Sequence, residues 1–185
     1  MMQQPPARLH WELVTLVPLY MSNLLIAIRG VLNAREPLPG LVTGGQPGLD
    51  HLSALKDAGC DVVIDMRDPM EQQPFEAPQA VRAAGLKYVN IPVPHTVPED
   101  ATFDRTRREV AAILGNGRKA FAYCNSGNRV GAALIPYFVL DTGLTQDDAV
   151  IRAMHVGTRS AELIEGALDY VKRKEREGTE RVGGR

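Results

Sequence analysis

The chain has 185 residues, of which 44% are hydrophobic and 23% are charged, which fits one globular domain with an ordinary core and some extra length. Its formal net charge of −1 gives no indication of a nucleic-acid partner or a strongly acidic partner. Two cysteines, Cys60 and Cys124, are too few for a disulfide framework, so we expect a cytoplasmic protein that keeps its thiols reduced.

Residues 1–36 are predicted to form an N-terminal extension. An apolar stretch, Leu13–Ile28, is interrupted by Pro18, Ser22 and Asn23 and is shorter than a comfortable membrane span. No clear cleavage site of small residues follows it. We expect an amphipathic helix that packs on the domain or on a partner, and contact with a membrane through residues 1–36 is the less favoured alternative.

Short apolar segments alternate with segments of helical periodicity from residue 37 onwards. The predicted strands are Leu41–Thr43, Asp61–Met66, Lys87–Ile91 and Lys119–Tyr123. The predicted helices are Leu49–Ala58, Glu76–Ala84, Thr102–Leu114, Val130–Leu140, Thr145–His155 and Arg159–Arg173. This alternation predicts an α/β fold with a mainly parallel sheet of four or five strands between helices. Residues 37–175 are assigned to this domain and residues 176–185 to a flexible tail.

The strongest chemical signal is the six-residue segment Cys124–Arg129, which joins a buried strand to a helix. Backbone N–H groups and the positive end of a helix converge at such a turn, where they favour a thiolate and bind anions. Arg129 adds a planar set of donors that suits a tetrahedral oxyanion. We therefore predict that Cys124 is the nucleophile, that Arg129 binds the oxyanion, and that Asn125, Ser126, Gly127 and Asn128 line an anion-binding loop.

Other loops at the carboxyl ends of the strands offer weaker candidates, because ligands of parallel sheets bind there. Arg67 is a candidate for binding an anionic substrate, and pairing with Asp65 or Asp68 is an equally good interpretation. Asp100 is the candidate proton donor, and the alternative is that it only begins the next helix. His95 is interpreted as a solvated loop residue.

The spacing of the acidic, histidine and cysteine residues fits no metal site, so no metal is predicted. The glycines that follow the first strand do not have the spacing of a dinucleotide-binding fingerprint. No cofactor is expected.

Four segments together resemble the phosphatase-like domain of beta-lactamase-hydrolase-like proteins, a bacterial branch of the dual-specificity phosphatases. They are Thr43–Pro47, Val63–Arg67, Gly85–Val93 and Cys124–Arg129, and the likeness runs from about residue 38 to residue 170. The resemblance implies a dual-specificity-phosphatase-like fold, with Cys124 as the nucleophile and Arg129 as the clamp on the substrate.

The sequence departs from the tyrosine-phosphatase signature at three points. Four residues, not five, separate Cys124 from Arg129; Val130 replaces a hydroxyl residue; and Tyr123 replaces a histidine. Rhodaneses, which are sulfurtransferases, use a loop of this shorter length to hold a persulfide. We therefore favour sulfane-sulfur transfer slightly over hydrolysis of protein or small-molecule phosphoesters. A catalytically inactive module that binds an anion or a partner is the third possibility.

Overall fold

The structure is a computed structural model that describes residues 21–183. Its centre is a five-stranded sheet in the order β1-β2-β5-β3-β4, in which only the β1–β2 pair is antiparallel. The strands are β1 (Arg35–Leu38), β2 (Leu41–Gly44), β3 (Val62–Asp65), β4 (Lys87–Asn90) and β5 (Ala120–Tyr123). The predicted mainly parallel sheet is confirmed, with the central strands β2, β3 and β5 buried along their whole length.

Helices cover both faces of the sheet, as the sequence predicted. They are α1 (Asn23–Ala27), α2 (Leu49–Asp57), α3 (Ala77–Ala83), α4 (Asp100–Gly115), α5 (Asn128–Leu140), α6 (Gln146–Val156) and α7 (Ala161–Gly183). Side chains alternate along each strand, so that Ala120 and Ala122 join the core under α4–α7, while Phe121 and Tyr123 join the core under α1–α3.

The segment before residue 37 is part of this second core. Leu24, Ile28 and Val31 are buried in the same cluster as Phe121. Strand β1 was not predicted, because Pro37 and its neighbours indicated a boundary; proline is tolerated there since β1 is an edge strand. The proposed boundary at residue 36 therefore does not separate two packing units. Of the apolar stretch Leu13–Ile28, residues 13–20 lie outside the described residues, and the other half contains α1.

Helix α7 is longer than expected. It continues to Gly183, whereas the sequence placed the end of the helix near Arg173 and a flexible tail from residue 176. Within residues 21–183, no helix is both long enough and apolar enough to span a bilayer.

Helix α5 is the most buried helix of the domain, with every residue from Arg129 to Phe138 covered. Gly131 allows close packing of α5 against α6. A Cβ atom at Gly131 would overlap the Thr158 hydroxyl and lie 2.6 Å from the Ala153 carbonyl oxygen. The absence of a side chain at this position is thus what brings the two helices together.

We predict that Gly131→Ala destabilises the domain by roughly 1–3 kcal/mol, because the added methyl group must push α6 away from α5. The change is measured as the free energy of unfolding in urea. Gly115→Ala is the matched control, since a Cβ atom there meets nothing within 4 Å. The control should be neutral or stabilising, because alanine is the better helix former; equal effects of the two substitutions would contradict the packing role.

Candidate active site

The parallel strands place four loops at one edge of the sheet. Gly44 pairs with Tyr123, Tyr123 with Asp65, and Asp65 with Asn90, so these strands end at the same level. The residues that follow each strand are therefore neighbours in space, and Cys124 lies at the centre of this edge because β5 is the middle strand.

The loop after β5 wraps around the sulfur of Cys124. Gly127 has a left-handed backbone (φ 86°), which turns its N–H back towards the sulfur, and the Gly127 N to Cys124 Sγ distance is 3.1 Å. A Cβ atom at Gly127 would lie 2.8 Å from the Val156 carbonyl oxygen, so close packing also requires glycine here. The polar residues that follow Cys124 would suggest an exposed thiol, but Cys124 is 1% exposed and belongs to the hydrophobic cluster that also contains Val130 and Ala133.

Arg129 lies in the first turn of α5 with its guanidinium buried beside the loop. Its Nη1 donates to the Val93 carbonyl oxygen (3.1 Å) and to Glu71 Oε1 (2.5 Å), and its Nη2 donates to Glu71 Oε2 (2.9 Å). Burial alone would lower the pKa of Arg129, but its bonds to Glu71 and its proximity to Cys124 outweigh burial and raise the pKa. The Arg129 guanidinium and the Cys124 thiol thus lie side by side, and their roles as clamp and nucleophile stay predictions.

Glu71 is a site residue that the sequence analysis missed. Hydrogen bonds from Arg129 lower the pKa of Glu71 to about 2 against the opposing effect of burial. Hydrogen bonds from the backbone N–H of Asp68 and from the Asn125 side chain lower it further. The Asn125 side chain donates to Glu71 Oε2 at 2.8 Å. Glu71 lies in a polar loop, 58 residues away from Arg129 in sequence, and nothing in the local pattern distinguishes it from its acidic neighbours.

A pocket of about 430 Å³ opens beside Arg129. One wall is the loop after β3, with Asp68, Met70 and Glu71; the other is the proline-rich loop after β4, which includes Val93 and His95. Met70 is 91% exposed, so the rim is apolar and open to solvent. The pocket joins an apolar rim to the Arg129–Glu71 ion pair, and Asp68 adds a second carboxylate to its lining.

Arg67 is not positioned to meet a substrate, contrary to one of the two interpretations of the sequence. It is 1% exposed, and its Nε and Nη2 donate to the two carboxylate oxygens of Asp65 at 2.9 and 2.7 Å. The Tyr123 hydroxyl and the side chains of Gln46 and Gln73 bind the rest of the guanidinium. Arg67 therefore neutralises a buried carboxylate beneath the site, which is the alternative that the sequence left open.

Two further candidates have side-chain contacts elsewhere. Asp100 pairs with Arg173 Nη2 at 2.6 Å in the first turn of α4, which agrees with the alternative that it begins a helix. Asn128 Oδ1 accepts hydrogen bonds from the backbone N–H groups of Arg159 and Ser160, so it braces the start of α7. A role of Asp100 as the proton donor stays a prediction, and these contacts do not support it.

Cys60 lies just before the amino end of β3, at the end of the strands opposite to Cys124. Its sulfur is near the Lys119 carbonyl oxygen, about 15 Å along β5 from Cys124 at the usual strand rise. Burial raises the pKa of Cys60 to about 11, so this thiol is protonated and unreactive at neutral pH. Within the described range there is also no group of three or more His, Cys, Asp or Glu residues arranged to hold a metal ion.

Solved structures with a similar fold include proteins described as phosphatases and one described as phosphatase-like. A putative phosphatase (DUF442) from Shewanella putrefaciens CN-32 is 20% identical, with a TM-score of 0.67 over 81% of this chain and 97% of that one. Tk-PTP in its active form is 17% identical, with a TM-score of 0.68 over 76% and 97% of the two chains. PTPMT1 in complex with PI(5)P is 14% identical, with a TM-score of 0.68 over 78% and 98%.

No protein-family model and no curated protein matches the sequence. At these identities the likeness establishes the fold. The chain has the fold of the dual-specificity and tyrosine phosphatases, which confirms the architecture that the resemblance implied.

We predict that Arg67→Leu destabilises the domain by about 3–5 kcal/mol, because it leaves the carboxylate of Asp65 buried without its partner. Tyr123→Phe is the control within the same network. It removes one hydroxyl from Asp65 and Arg67 but keeps the ion pair, and should cost about 1–2 kcal/mol. Urea unfolding of both variants checks this, and an Arg67→Leu effect no larger than that of Tyr123→Phe would contradict it.

The lowered pKa of Glu71 predicts a pH dependence of stability. The ionised carboxylate stabilises the folded state fully above its ordinary pKa of 4.5, and this contribution is lost as the pH falls towards 2. Melting temperatures measured between about pH 5 and about pH 2 should therefore fall less steeply for Glu71→Gln than for the wild type. Glu165→Gln, on an exposed position of α7, is the control; a slope unchanged by Glu71→Gln would contradict the ion pair.

Proposed function

We propose that the chain is a cysteine-dependent group-transfer enzyme that acts on an anionic substrate through a covalent intermediate on Cys124. The observation that carries this proposal is the loop Cys124–Arg129, in which the Gly127 N–H meets the sulfur at 3.1 Å and the Arg129 guanidinium closes the same loop. An N–H donor and a buried cation beside a sulfur favour its ionised, nucleophilic form.

Sulfane-sulfur transfer is the chemistry that these residues support best. Hydrolysis of a phosphoester with a poor leaving group needs a proton donor. Glu71, which pairs with Arg129, cannot donate a proton at neutral pH because its pKa is about 2. Asp100, the candidate donor, is paired with Arg173. The four-residue spacing in the loop also matches the length that rhodaneses use for a persulfide.

Thiosulfate can serve as the sulfur donor in the proposed step. The Cys124 thiolate attacks the outer sulfur of thiosulfate, a new sulfur–sulfur bond forms, and the bond to the sulfonate sulfur breaks. Sulfite leaves as a dianion and Cys124 becomes a persulfide anion, so no proton moves. In this step the sulfonate displaces Glu71 from Arg129, and its oxygens bind to the guanidinium and to the loop N–H groups.

Hydrolysis of phosphoesters is the second candidate. The fold supports it, because the similar structures include phosphatases and one of them, PTPMT1, was solved in complex with PI(5)P. An apolar rim beside Arg129 suits a phosphoester as well as an organic sulfur donor, provided that the substrate anion replaces Glu71 on the guanidinium. Against it, Val130 is fully buried where phosphatases carry a hydroxyl that helps the thiolate to leave. An inactive anion-binding module is the third.

We predict that incubation with thiosulfate adds one sulfur atom to the peptide that contains Cys124, as measured by mass spectrometry, and that an aryl phosphate is hydrolysed much more slowly. Arg129→Lys should slow formation of the persulfide by about 100-fold, because a single point charge replaces the planar set of donors.

Cys60 serves as an internal control, since its raised pKa of about 11 keeps it unmodified at neutral pH. Cys124→Ser should abolish the adduct. Release of phosphate without any persulfide would reverse the order of the two chemistries, and the absence of both products would favour the inactive module.

A further inference from the structure

The peptide unit between Ser126 and Gly127 is held at both ends. Its N–H, from Gly127, lies 3.1 Å from Cys124 Sγ, and its C=O, from Ser126, accepts a hydrogen bond of 2.8 Å from Asn33 Nδ2. The N–H and C=O of a trans peptide point in opposite directions, because the unit is planar. The hydrogen bond that holds the Ser126 carbonyl oxygen away from Cys124 therefore also points the Gly127 N–H at the sulfur.

Asn33 has an unusual backbone for this contact. It is the one residue other than glycine with a positive φ (54°) within residues 21–183. Asparagine tolerates this left-handed conformation better than most residues, and such conformations persist where the surrounding structure enforces them. The preceding residue is fixed as well, since the Leu32 carbonyl oxygen accepts a hydrogen bond of 2.7 Å from the N–H of Gly45.

The surroundings leave the Asn33 amide little freedom. A Cβ atom at Gly157 would lie 2.9 Å from Asn33 Nδ2 and 3.2 Å from the Ser126 carbonyl oxygen, so this glycine packs against the bond itself. The neighbouring carbonyl oxygen, of Asn125, is also turned outwards, because it accepts from the N–H of Gln46 at 3.3 Å. Two successive carbonyl groups of the loop thus point away from Cys124.

We propose that Asn33 is a positioning residue for the reacting thiol: by holding the Ser126 carbonyl oxygen, it orients the Gly127 N–H that stabilises the Cys124 thiolate. This rests on the proposed function, in which Cys124 reacts as a thiolate. A hydrogen bond donated to the charged form of a group favours that form, so misorienting the N–H disfavours ionisation of the sulfur. The N-terminal segment then contributes directly to the reactivity of the site.

The test is the pH dependence of alkylation of Cys124 by iodoacetamide, followed by peptide mass spectrometry. Asn33→Gly removes the amide but keeps the positive φ without strain. Asn33→Asp keeps the shape and also tolerates this φ, but its carboxylate cannot donate to the Ser126 oxygen. We expect the midpoint of the rate profile to move up by about one pH unit for Asn33→Gly, with alkylation about tenfold slower below the midpoint, and further for Asn33→Asp.

Ser22→Ala is the matched control. It also removes one hydrogen bond from the N-terminal segment, between the Ser22 hydroxyl and the N–H of Leu25, without touching the loop. It should lower the melting temperature and leave the alkylation midpoint unchanged. The proposal is overturned if both Asn33 variants keep the wild-type midpoint, or if Ser22→Ala moves it equally.

The alkylation experiment needs no turnover, so its result is separate from that of the sulfur-transfer assay. A wild-type protein that forms a persulfide, with a midpoint insensitive to Asn33, refutes the positioning role alone. A protein inactive towards thiosulfate and aryl phosphate, whose midpoint still shifts in the Asn33 variants, refutes the proposed chemistry and supports the positioning role.

Discussion

The site depends on one backbone turn, at which the chain passes from β5 into α5 with Gly127 in a left-handed conformation. This turn aims the Gly127 N–H at the sulfur of Cys124. It also starts α5 in a direction that brings the Arg129 side chain back beside Cys124. A side chain at Gly127 would collide with the Val156 carbonyl oxygen, so the turn and the packing of α6 are a single constraint. Cys124 and Arg129 are close in space because the backbone between them cannot take a longer path.

Two arginines near this turn have different environments and therefore different roles. Arg67 is enclosed with Asp65 and Tyr123 under the site, where every donor that it presents has an internal partner. Arg129 is equally buried, but its carboxylate partner, Glu71, borders an open pocket. The Arg67–Asp65 pair links the ends of β3 and β5 through Tyr123, whereas the Arg129–Glu71 pair borders the open pocket.

The sequence predicted the parts of the molecule that depend on neighbours along the chain. Alternation of apolar strands and helices predicted the sheet, and the spacing of Cys124 and Arg129 predicted that they share a loop. The contacts of Asn33 and Glu71 join residues 93 and 58 positions apart, so no local pattern indicates them. Arg67 was ambiguous because its acidic partner lies only two residues away, and a buried ion pair and an exposed anion site have the same local sequence. The polar residues after Cys124 suggest an exposed thiol, but its side chain is buried in the same core cluster as residues of α5.

The two sides of the pocket differ in how tightly they are built into the protein. Arg129 belongs to a helix that is covered along ten consecutive residues, whereas the facing loop presents Met70 almost wholly to water. Substitutions on the helix disturb the core of the domain, but a substitution at Met70 disturbs little besides the rim. Natural variation can therefore reshape the rim of the pocket while the buried start of α5 stays the same, so the two sides are free to evolve separately in this architecture.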